Sequence, residues 1–207
     1  MAKIRQGMES FLSGKIGDKV YVFRDGKTYV RSAPKRKKDS STPAMLLNQK
    51  RFGAIMKFCG QFKDALIPQI WNPAAEMTSG FRMFQKANSP AFAKDGSLID
   101  PKLLRLTTGK LILPNGFTAG RPEVGGSIIE VSWLEDPNLG GIPLQDELMV
   151  ISVADGQYSD ITVTGITRNE LNGSFELPVK PLNATHIYLF FESKDQRNYS
   201  ESVCFEI

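Results

Sequence analysis

The feature that most constrains the fold is a pair of short apolar runs separated by Asp25-Gly26. Residues 20–24 and 27–31 are both rich in Val, Tyr, Phe and Thr. A two-residue type I′ turn needs a positive φ at both central residues, which Asp tolerates and Gly adopts without strain. The pattern therefore predicts a β-hairpin with one apolar face. Because an isolated hairpin is only marginally stable in water, this one needs a partner surface.

A long amphipathic helix is predicted to follow the hairpin. Thr42 can cap it, and Pro43 suits the first helical position, where no N–H is needed. Pro68 is expected to end or kink it. Apolar residues recur along one face at steps of three and four. These residues are Met45, Phe52, Ile55, Met56, Cys59, Phe62 and Leu66.

Residues 69–88 favour one or two short helices, the first starting at Asn72-Pro73. Their bulky apolar residues are expected to lie in the core, because aromatic residues at helical spacing are more often buried than used for base stacking. These residues are Trp71, Met77, Phe81 and Phe84.

Beyond a turn-rich passage at residues 93–101, the apolar periodicity changes to two, which is typical of strands. The predicted strands are residues 103–107, 127–133, 147–153, 159–164, 173–179, 186–193 and 200–205. Short strands separated by Pro-, Gly-, Asn- and Asp-rich turns favour a β-sandwich. We therefore predict an α+β protein, with a basic hairpin-plus-helix domain at residues 1–95 and a β-sandwich at residues 96–207.

Charge is divided unevenly along the chain. Residues 1–100 carry 18 basic and 8 acidic side chains, whereas residues 101–207 carry 8 and 14. This division favours docking of one half on the other, or head-to-tail association between molecules. A cationic loop leading into a basic helix face could also neutralise phosphates without reading bases. The candidate contact residues for a partner or nucleic acid are Lys35, Arg36, Lys37, Lys38, Lys50, Arg51 and Lys57.

Reactive groups are sparse. The chain has one histidine, His186, and two cysteines, Cys59 and Cys204, whose separation matches no metal-ligand spacing and predicts free thiols. Serine-triad or Cys–His catalysis would require His186 beside a thiol or hydroxyl, which nothing in the sequence indicates. We predict no enzymatic activity, no cofactor and no metal site. Calcium binding by the acidic loops around Asp136 and Asp155 stays an open alternative.

The N-terminal residues contain no apolar run of the kind that forms a signal-peptide core. No stretch of the sequence approaches the length of a membrane span. We therefore expect a cytoplasmic protein whose partner is another protein or a second copy, with nucleic acid as a possible ligand.

Two resemblances add to this interpretation. Residues 129–133, ending in Trp133, are similar to the strand that carries the core tryptophan of immunoglobulin or fibronectin type III modules, and residues 187–191 and 199–202 resemble their last hairpin. This resemblance implies an immunoglobulin-like sandwich. The antibody-type cysteine pair is missing from the sequence.

The N-terminal half resembles a bacterial family of unknown function found in Bacteroidetes, and similar blocks occur in small phage- and prophage-type proteins. The matching blocks are residues 2–7, 13–17, 31–35, 42–44, 48–52, 71–72 and 80–88. The chain departs from the family at residues 39–41, where Asn-Pro would be expected before Thr42. The family implies a fold and no activity. We predict a structural or protein-interaction role, phage-related through this resemblance, with nonspecific nucleic-acid binding as the alternative.

Overall fold

The computed structural model describes residues 2–3, 12–35, 41–123, 126–134, 145–177 and 184–207. Its contacts divide the chain into two compact units, Met1–Thr42 and Pro43–Ile207, here called the N-terminal and C-terminal units. The sequence-based boundary between residues 95 and 96 lies inside the C-terminal unit. This is because residues on both sides of it contribute to one continuous apolar core.

The N-terminal unit is a four-stranded antiparallel sheet. Its strands are β1 (Ala2–Lys3), β2 (Gly14–Ile16), β3 (Lys19–Arg24) and β4 (Lys27–Ser32), in the order β1-β4-β3-β2. The predicted hairpin is confirmed: β3 pairs with β4, and Asp25 and Gly26 have φ values of 52° and 71°. A second turn at Gly17, with a φ of 58°, joins β2 to β3. Strand β2 is too short for its apolar alternation to be recognised from the sequence.

The C-terminal unit begins with helices. They are α1 (Pro43–Gly60), a π-helical turn (Ile67–Trp71), α2 (Asn72–Ala74) and α3 (Gly80–Asn88). Helix α1 ends before Pro68, the predicted limit. Pro68 instead lies in the first positions of the π-helical turn, where its missing N–H is not needed. Ser79 caps α3 by accepting a hydrogen bond from the Arg82 N–H at 3.4 Å.

Eight strands follow. They are β5 (Asn115–Gly120), β6 (Ile128–Leu134), β7 (Glu147–Ala154), β8 (Gln157–Tyr158), β9 (Thr162–Thr167), β10 (Asn172–Glu176), β11 (His186–Glu192) and β12 (Val203–Glu206). One sheet has the order β10-β6-β5, and the other has β12-β11-β7-β8 with β9 also paired to β7. All pairs are antiparallel, and a shared apolar core makes the arrangement sandwich-like. The predicted α+β fold class, with a hairpin, helices and then a C-terminal β-region, is confirmed.

Strands β7 and β11 pair along their whole length and are buried on both faces. Alternate side chains point to opposite faces of a sheet. The side chains that join the core with the helices are Met149, Ile151, Tyr188 and Phe190. The side chains that join the core with the three-stranded sheet are Leu148, Val150, Leu189 and Phe191. The sheet that contains β7 and β11 therefore packs against the helices on one face and against the three-stranded sheet on the other, which gives three layers.

The helix-side core is aromatic. Phe84 stacks on Phe58 with a centroid distance of 5.7 Å and meets the Trp71 ring edge-on at 5.2 Å. The prediction that Trp71 and Phe84 are core residues is confirmed. The same prediction for Met77 is wrong, because that side chain is 99% exposed in the turn between α2 and α3.

The first turns of α1 also differ from the prediction. Residues 43–50 are all exposed, as is Phe52, and the first buried side chain of the helix is Ile55. The expectation that Met45 and Phe52 face the core is therefore wrong. Only the second half of the predicted apolar face packs against the aromatic core. The first turns of α1 precede the part of the helix that contacts the core side chains.

Three predicted strands, residues 127–133, 147–153 and 186–193, correspond to β6, β7 and β11. Residues 159–164 overlap only β9, the strand predicted at 173–179 ends at Glu176, and the last strand starts at Val203 rather than Ser200. Strand β5 was not predicted, because Asn115-Gly116 is typical of a turn. Of the predicted 173–179 strand, residues 178 and 179 lie outside the described part of the chain.

The predicted strand at residues 103–107 is wrong. Pro101–Leu103 form a 3₁₀ turn, and the following extended residues do not belong to a sheet ladder. Side chains take the place of a neighbouring strand: the Trp71 indole donates to the Leu106 carbonyl at 2.7 Å, and the Leu106 N–H donates to Ser202 Oγ at 3.0 Å. Apolar alternation is present here because Leu104 and Leu106 are buried, but the Leu104 N–H donates to the Pro101 carbonyl within the turn, and the backbone groups of Leu106 bind side chains.

A buried ion pair lies in the C-terminal unit, beside the core between the two sheets. The Asp146 side chain is 0% exposed and the Arg168 side chain 6%, with 3.4 Å between Oδ2 and Nε. Arg168 also donates to the Ile112 carbonyl at 2.8 Å and lies 4.2 Å from the centroid of the Phe191 ring. Burial raises the pKa of the Asp146 carboxyl and lowers that of the Arg168 guanidinium, and their mutual attraction opposes both shifts.

Substitution Arg168→Met should destabilise the protein strongly at neutral pH. It leaves the Asp146 carboxylate buried without its counter-charge, which costs about 3–5 kcal/mol. The double variant Asp146→Leu with Arg168→Met should lose less, because no lone charge remains. Urea unfolding monitored by circular dichroism measures both free energies. A double variant less stable than Arg168→Met would contradict this account of the pair.

The loss of unfolding free energy caused by Arg168→Met should also be smaller in acid. A carboxyl whose folded pKa is raised contributes stability below its unfolded pKa, about 4, and that contribution is lost as pH rises through the folded pKa. Protonation of Asp146 therefore removes the unpaired charge. The difference in unfolding free energy between wild type and variant should be smaller at pH 4 than at pH 7. A difference that does not change with pH would contradict the role of the unpaired Asp146 carboxylate.

Candidate interaction surface

The predicted contact residues are divided between the two units. In the N-terminal unit, Lys35 is exposed just after β4, and Arg36, Lys37 and Lys38 lie outside the described residues. In the C-terminal unit, Lys50 and Lys57 are exposed on α1.

Arg51 differs from the other candidates because it is half-buried. Its Nη2 donates to the Ser89 carbonyl at 2.8 Å, which ties α1 to the 3₁₀ turn after α3. We therefore interpret Arg51 as a structural residue, and the α1 candidates that remain as contact residues are Lys50 and Lys57.

The strand register of the N-terminal unit gathers a different set of cations. Residues that are direct partners in an antiparallel pair point to the same face of the sheet. One face holds Lys15, Val20, Val22, Arg24, Lys27, Tyr29 and Arg31, and we call it the cationic face. The opposite face includes Tyr21 and Thr28, which are 7% and 2% exposed. That face also includes Ile16 and Phe23, which are 51% and 52% exposed, whereas every residue of the cationic face is exposed or half-buried.

The cationic face has charge at both ends and apolar groups between. Arg24 is opposite Lys27 at the hairpin turn, and Arg31 and Lys15 both pair with Val20 at the other end. With a rise of about 3.4 Å per residue, these ends lie about 14 Å apart. Val22, 40% exposed, and half-buried Tyr29 are opposite each other between them.

Little within the sheet neutralises this charge. Strands β2, β3 and β4 contain five Lys or Arg residues and no Asp or Glu. Among the described residues of the sheet, Arg24 Nε lies 3.4 Å from Asp25 Oδ2 in an ion pair whose side chains are both at least 78% exposed. Exposed pairs of this kind contribute little. The face therefore presents net positive charge to solvent.

Sequence reasoning missed the cationic face although the signal was present. The alternation that places Tyr21 on one side of the predicted hairpin also places Arg24, Lys27 and Arg31 on the other. The uninterrupted basic run at residues 35–38 is conspicuous because its charges are adjacent in the sequence. On the cationic face, by contrast, strand pairing brings together charged residues that are separated in the sequence.

A second surface lies on the outer face of the three-stranded sheet. It is an open trough of about 670 Å³, here called the polar trough. Thr118, Ser132 and Asn172 are direct partners across its three strands, and Gly120, Glu130 and Ser174 form the next row. Strands β5, β6 and β10 contain two glutamates, Glu130 and Glu176, and no Lys or Arg. The exposed side chains of Ile128 and Leu134 lie on the same face.

The potential nucleophiles do not resemble activated groups. Strand register places His186 opposite Glu206 and Tyr188 opposite Cys204, so these side chains share a face. However, burial raises the pKa of the Cys204 thiol, which is the opposite of what a thiolate nucleophile requires. His186 Nδ1 lies 2.9 Å from Thr185 Oγ1.

Cys59 is fully buried on α1, and burial raises its pKa to about 11. Both cysteines are free, as predicted. Within the described ranges, no three His, Cys, Asp or Glu side chains are placed to hold a metal ion. Asp136, one of the residues considered for calcium, lies outside those ranges.

The sequence matches no protein-family model and no curated protein. Both resemblances, to the Bacteroidetes family and to immunoglobulin-like modules, therefore stay predictions. In the part of the chain that the structure describes, no helix has the length and apolar character to cross a bilayer. The cytoplasmic location stays a prediction as well.

The alkylation rate of Cys59 tests whether its thiol is buried and protonated. Because its pKa is about two units above the ordinary value, its thiolate fraction at pH 8 should be about a hundredfold lower than in the unfolded chain. Alkylation by iodoacetamide, followed by mass spectrometry, should therefore be at least that much slower in the native protein than in urea. A Cys204→Ala variant isolates the signal. Equal native and unfolded rates would contradict the buried, protonated thiol.

Proposed function

We propose that this chain is a non-catalytic protein-interaction protein whose cationic face contacts an acidic partner surface. The observation that carries the proposal is the arrangement of that face, with Lys or Arg at both ends and exposed Val22 and half-buried Tyr29 between them. Protein interfaces combine an apolar or aromatic centre with a polar rim, and Tyr and Arg are enriched in their energetically dominant positions.

Charge supports an acidic partner. Residues 1–42 contain eleven Lys or Arg and four Asp or Glu, a net charge of +7. A cationic surface of this size attracts acidic surfaces and accelerates encounter, and salt screens the attraction at exposed sites. Binding through this face should therefore depend steeply on ionic strength.

The non-catalytic part of the proposal is supported by the reactive side chains. The thiols are protonated by burial, and the carboxyl of Asp146 is paired with Arg168. Another buried carboxyl, Glu192, accepts a hydrogen bond from the Tyr199 hydroxyl at 2.8 Å. These groups are used for packing.

The proposal includes an immunoglobulin- or fibronectin-like C-terminal sandwich as the rigid support. What favours it is strand order: lettering β5, β6, β7, β10, β11 and β12 as A, B, C, E, F and G gives sheets B–E and A–B on one side and C–F–G on the other. A phage-related role rests on the N-terminal resemblance alone.

Titration of fluorescent poly-L-glutamate at low and high salt tests the proposed contact. The wild-type protein should bind at low salt and lose most of its affinity at high salt. Arg31→Glu should weaken binding at least about tenfold, because it reverses a charge on the cationic face. The matched control is Lys19→Glu, an equal charge change on the opposite face at the same end of the sheet, which should change affinity by less than about threefold.

Circular dichroism confirms that both variants fold. The proposal is wrong if the wild type does not bind at low salt, or if the two substitutions weaken binding equally.

Nucleic-acid binding is the second candidate function. Tyr29 lies between cations spaced about 14 Å apart, and a base stacked on an aromatic side chain contributes about 1–3 kcal/mol. The exposed Lys35, with the basic residues that follow it in sequence, could contact phosphates beyond the sheet.

If this candidate is correct, Tyr29→Ala should weaken binding of an oligothymidine by about five- to a hundredfold and leave poly-L-glutamate binding nearly unchanged. Replacing residues 35–38 with Ser should lower affinity and reduce its salt dependence. Fluorescence anisotropy measures both. Oligothymidine binding that ignores Tyr29 and residues 35–38, or is absent at low salt, would exclude this candidate.

A further inference from the structure

The molecule carries two exposed sheet faces of opposite charge. Residues 1–42 have a net charge of +7, and residues 43–207, with 15 basic and 18 acidic side chains, have a net charge of −3. Four of the eleven cations of the first region lie on the cationic face. The second region includes the polar trough, whose three strands carry only acidic charge. Each copy of the protein therefore contains a surface that is electrostatically complementary to the other surface on a second copy.

We propose that the cationic face of one copy docks on the polar trough of a second copy, so that molecules associate head to tail. This inference rests on the proposed function and identifies the acidic partner as a second copy of the chain. The two surfaces are different, so the contact is heterologous: made reciprocally by two copies it closes a dimer, and made once with each neighbour it produces larger rings or open chains.

Charge at the trough supports this partner. Glu130 is exposed in the middle of the three-stranded sheet, and Glu176 is exposed at one end, where it accepts a hydrogen bond from Ser127 at 3.0 Å. Half-buried Arg121 also lines the trough, where its Nη2 donates to the Ala184 carbonyl at 3.2 Å. Two exposed carboxylates and one guanidinium leave the trough with a net negative charge to face the four cations of the cationic face.

Shape supports the same pairing. The floor of the trough is made of small side chains, including Gly120 and Ser132, which leaves room for a projecting group. Tyr29 is the aromatic side chain at the centre of the cationic face and can enter that room. The exposed apolar groups Ile128 and Leu134 provide contact area for the neighbouring valines of the cationic face.

The contact should be weak and reversible. A face three strands wide and five residues long measures about 10 by 14 Å, which is smaller than one side of a standard stable interface. Its charged groups are exposed, so salt should screen them. We expect self-association that grows with protein concentration at low salt and disappears at high salt.

Two charge-reversal variants test the contact. The cationic-face variant is Lys27→Glu with Arg31→Glu, and the trough variant is Glu130→Lys with Glu176→Lys. In sedimentation velocity at low salt, the wild type should form dimers or larger species as concentration rises. Each variant alone should be monomeric over the same range.

An equimolar mixture of the two variants provides the sharpest result. The trough variant retains a cationic face, and the cationic-face variant retains a trough, so one intact contact can form between them. The mixture should therefore give one-to-one dimers and no larger species. Lys19→Glu, on the opposite face of the N-terminal sheet, should associate like the wild type.

Gly120→Trp tests shape without changing charge. A Cβ at Gly120 would meet no atom within 4 Å, and its φ is not in the left-handed region, so a side chain can be added without strain. The indole should fill the trough and weaken self-association at least tenfold.

A wild type that stays monomeric at low salt and high concentration would overturn the inference, as would a mixture of variants that forms no dimer. Titration with poly-L-glutamate separates this failure from failure of the proposed function. A monomeric wild type that still binds the polymer through Arg31 keeps the proposed function and rejects the second copy as partner, whereas a monomer that does not bind it rejects both.

Discussion

The pairing of β7 with β11 is the interaction on which the C-terminal unit depends. Both strands are buried on both faces, so neither layer around them can form a closed core without them. The helices need one face of these strands to bury Phe58, Phe84 and Trp71, and the three-stranded sheet needs the other face to bury Trp133. An antiparallel sheet often leaves one face to solvent, but here the helices occupy the face that would otherwise be exposed.

Much of this fold could be predicted from local pattern. Asp25-Gly26 indicated the hairpin because few residues other than these adopt its φ values. Periodicity indicated three strands of the sandwich closely, namely β6, β7 and β11. Local pattern failed where tertiary contacts decide. Leu104 and Leu106 alternate like residues of a strand, yet the backbone groups of Leu106 bind side chains, and Met77 is apolar but lies in an exposed turn. The helices' use of β7 and β11 as a packing surface also could not be read from sequence, since it joins segments far apart in the chain.

Local sequence pattern is similarly limited for the candidate surface. The contact residues predicted in the N-terminal half stay a prediction. Strand register adds a group that the linear sequence did not single out, because it brings Lys15, Arg24, Lys27 and Arg31 to one face, and Arg51 donates to the Ser89 carbonyl. The Asp146–Arg168 pair was invisible for a similar reason: nothing near either residue in sequence distinguishes it from an exposed charge. Function in this protein is therefore expected to lie in how strands arrange ordinary charged side chains.

Native-state hydrogen exchange measured residue by residue tests the central claim most directly, namely that one two-sided sheet unites the helices and the sandwich. Amides of β7, β11 and α3, such as those of Ile151, Phe190 and Phe84, should share the slowest exchange rate, because only global unfolding of the C-terminal unit exposes them. If the amides of α3 exchanged through a faster local opening while β7 and β11 stayed protected, the helices would be an independent unit and the claim would be wrong.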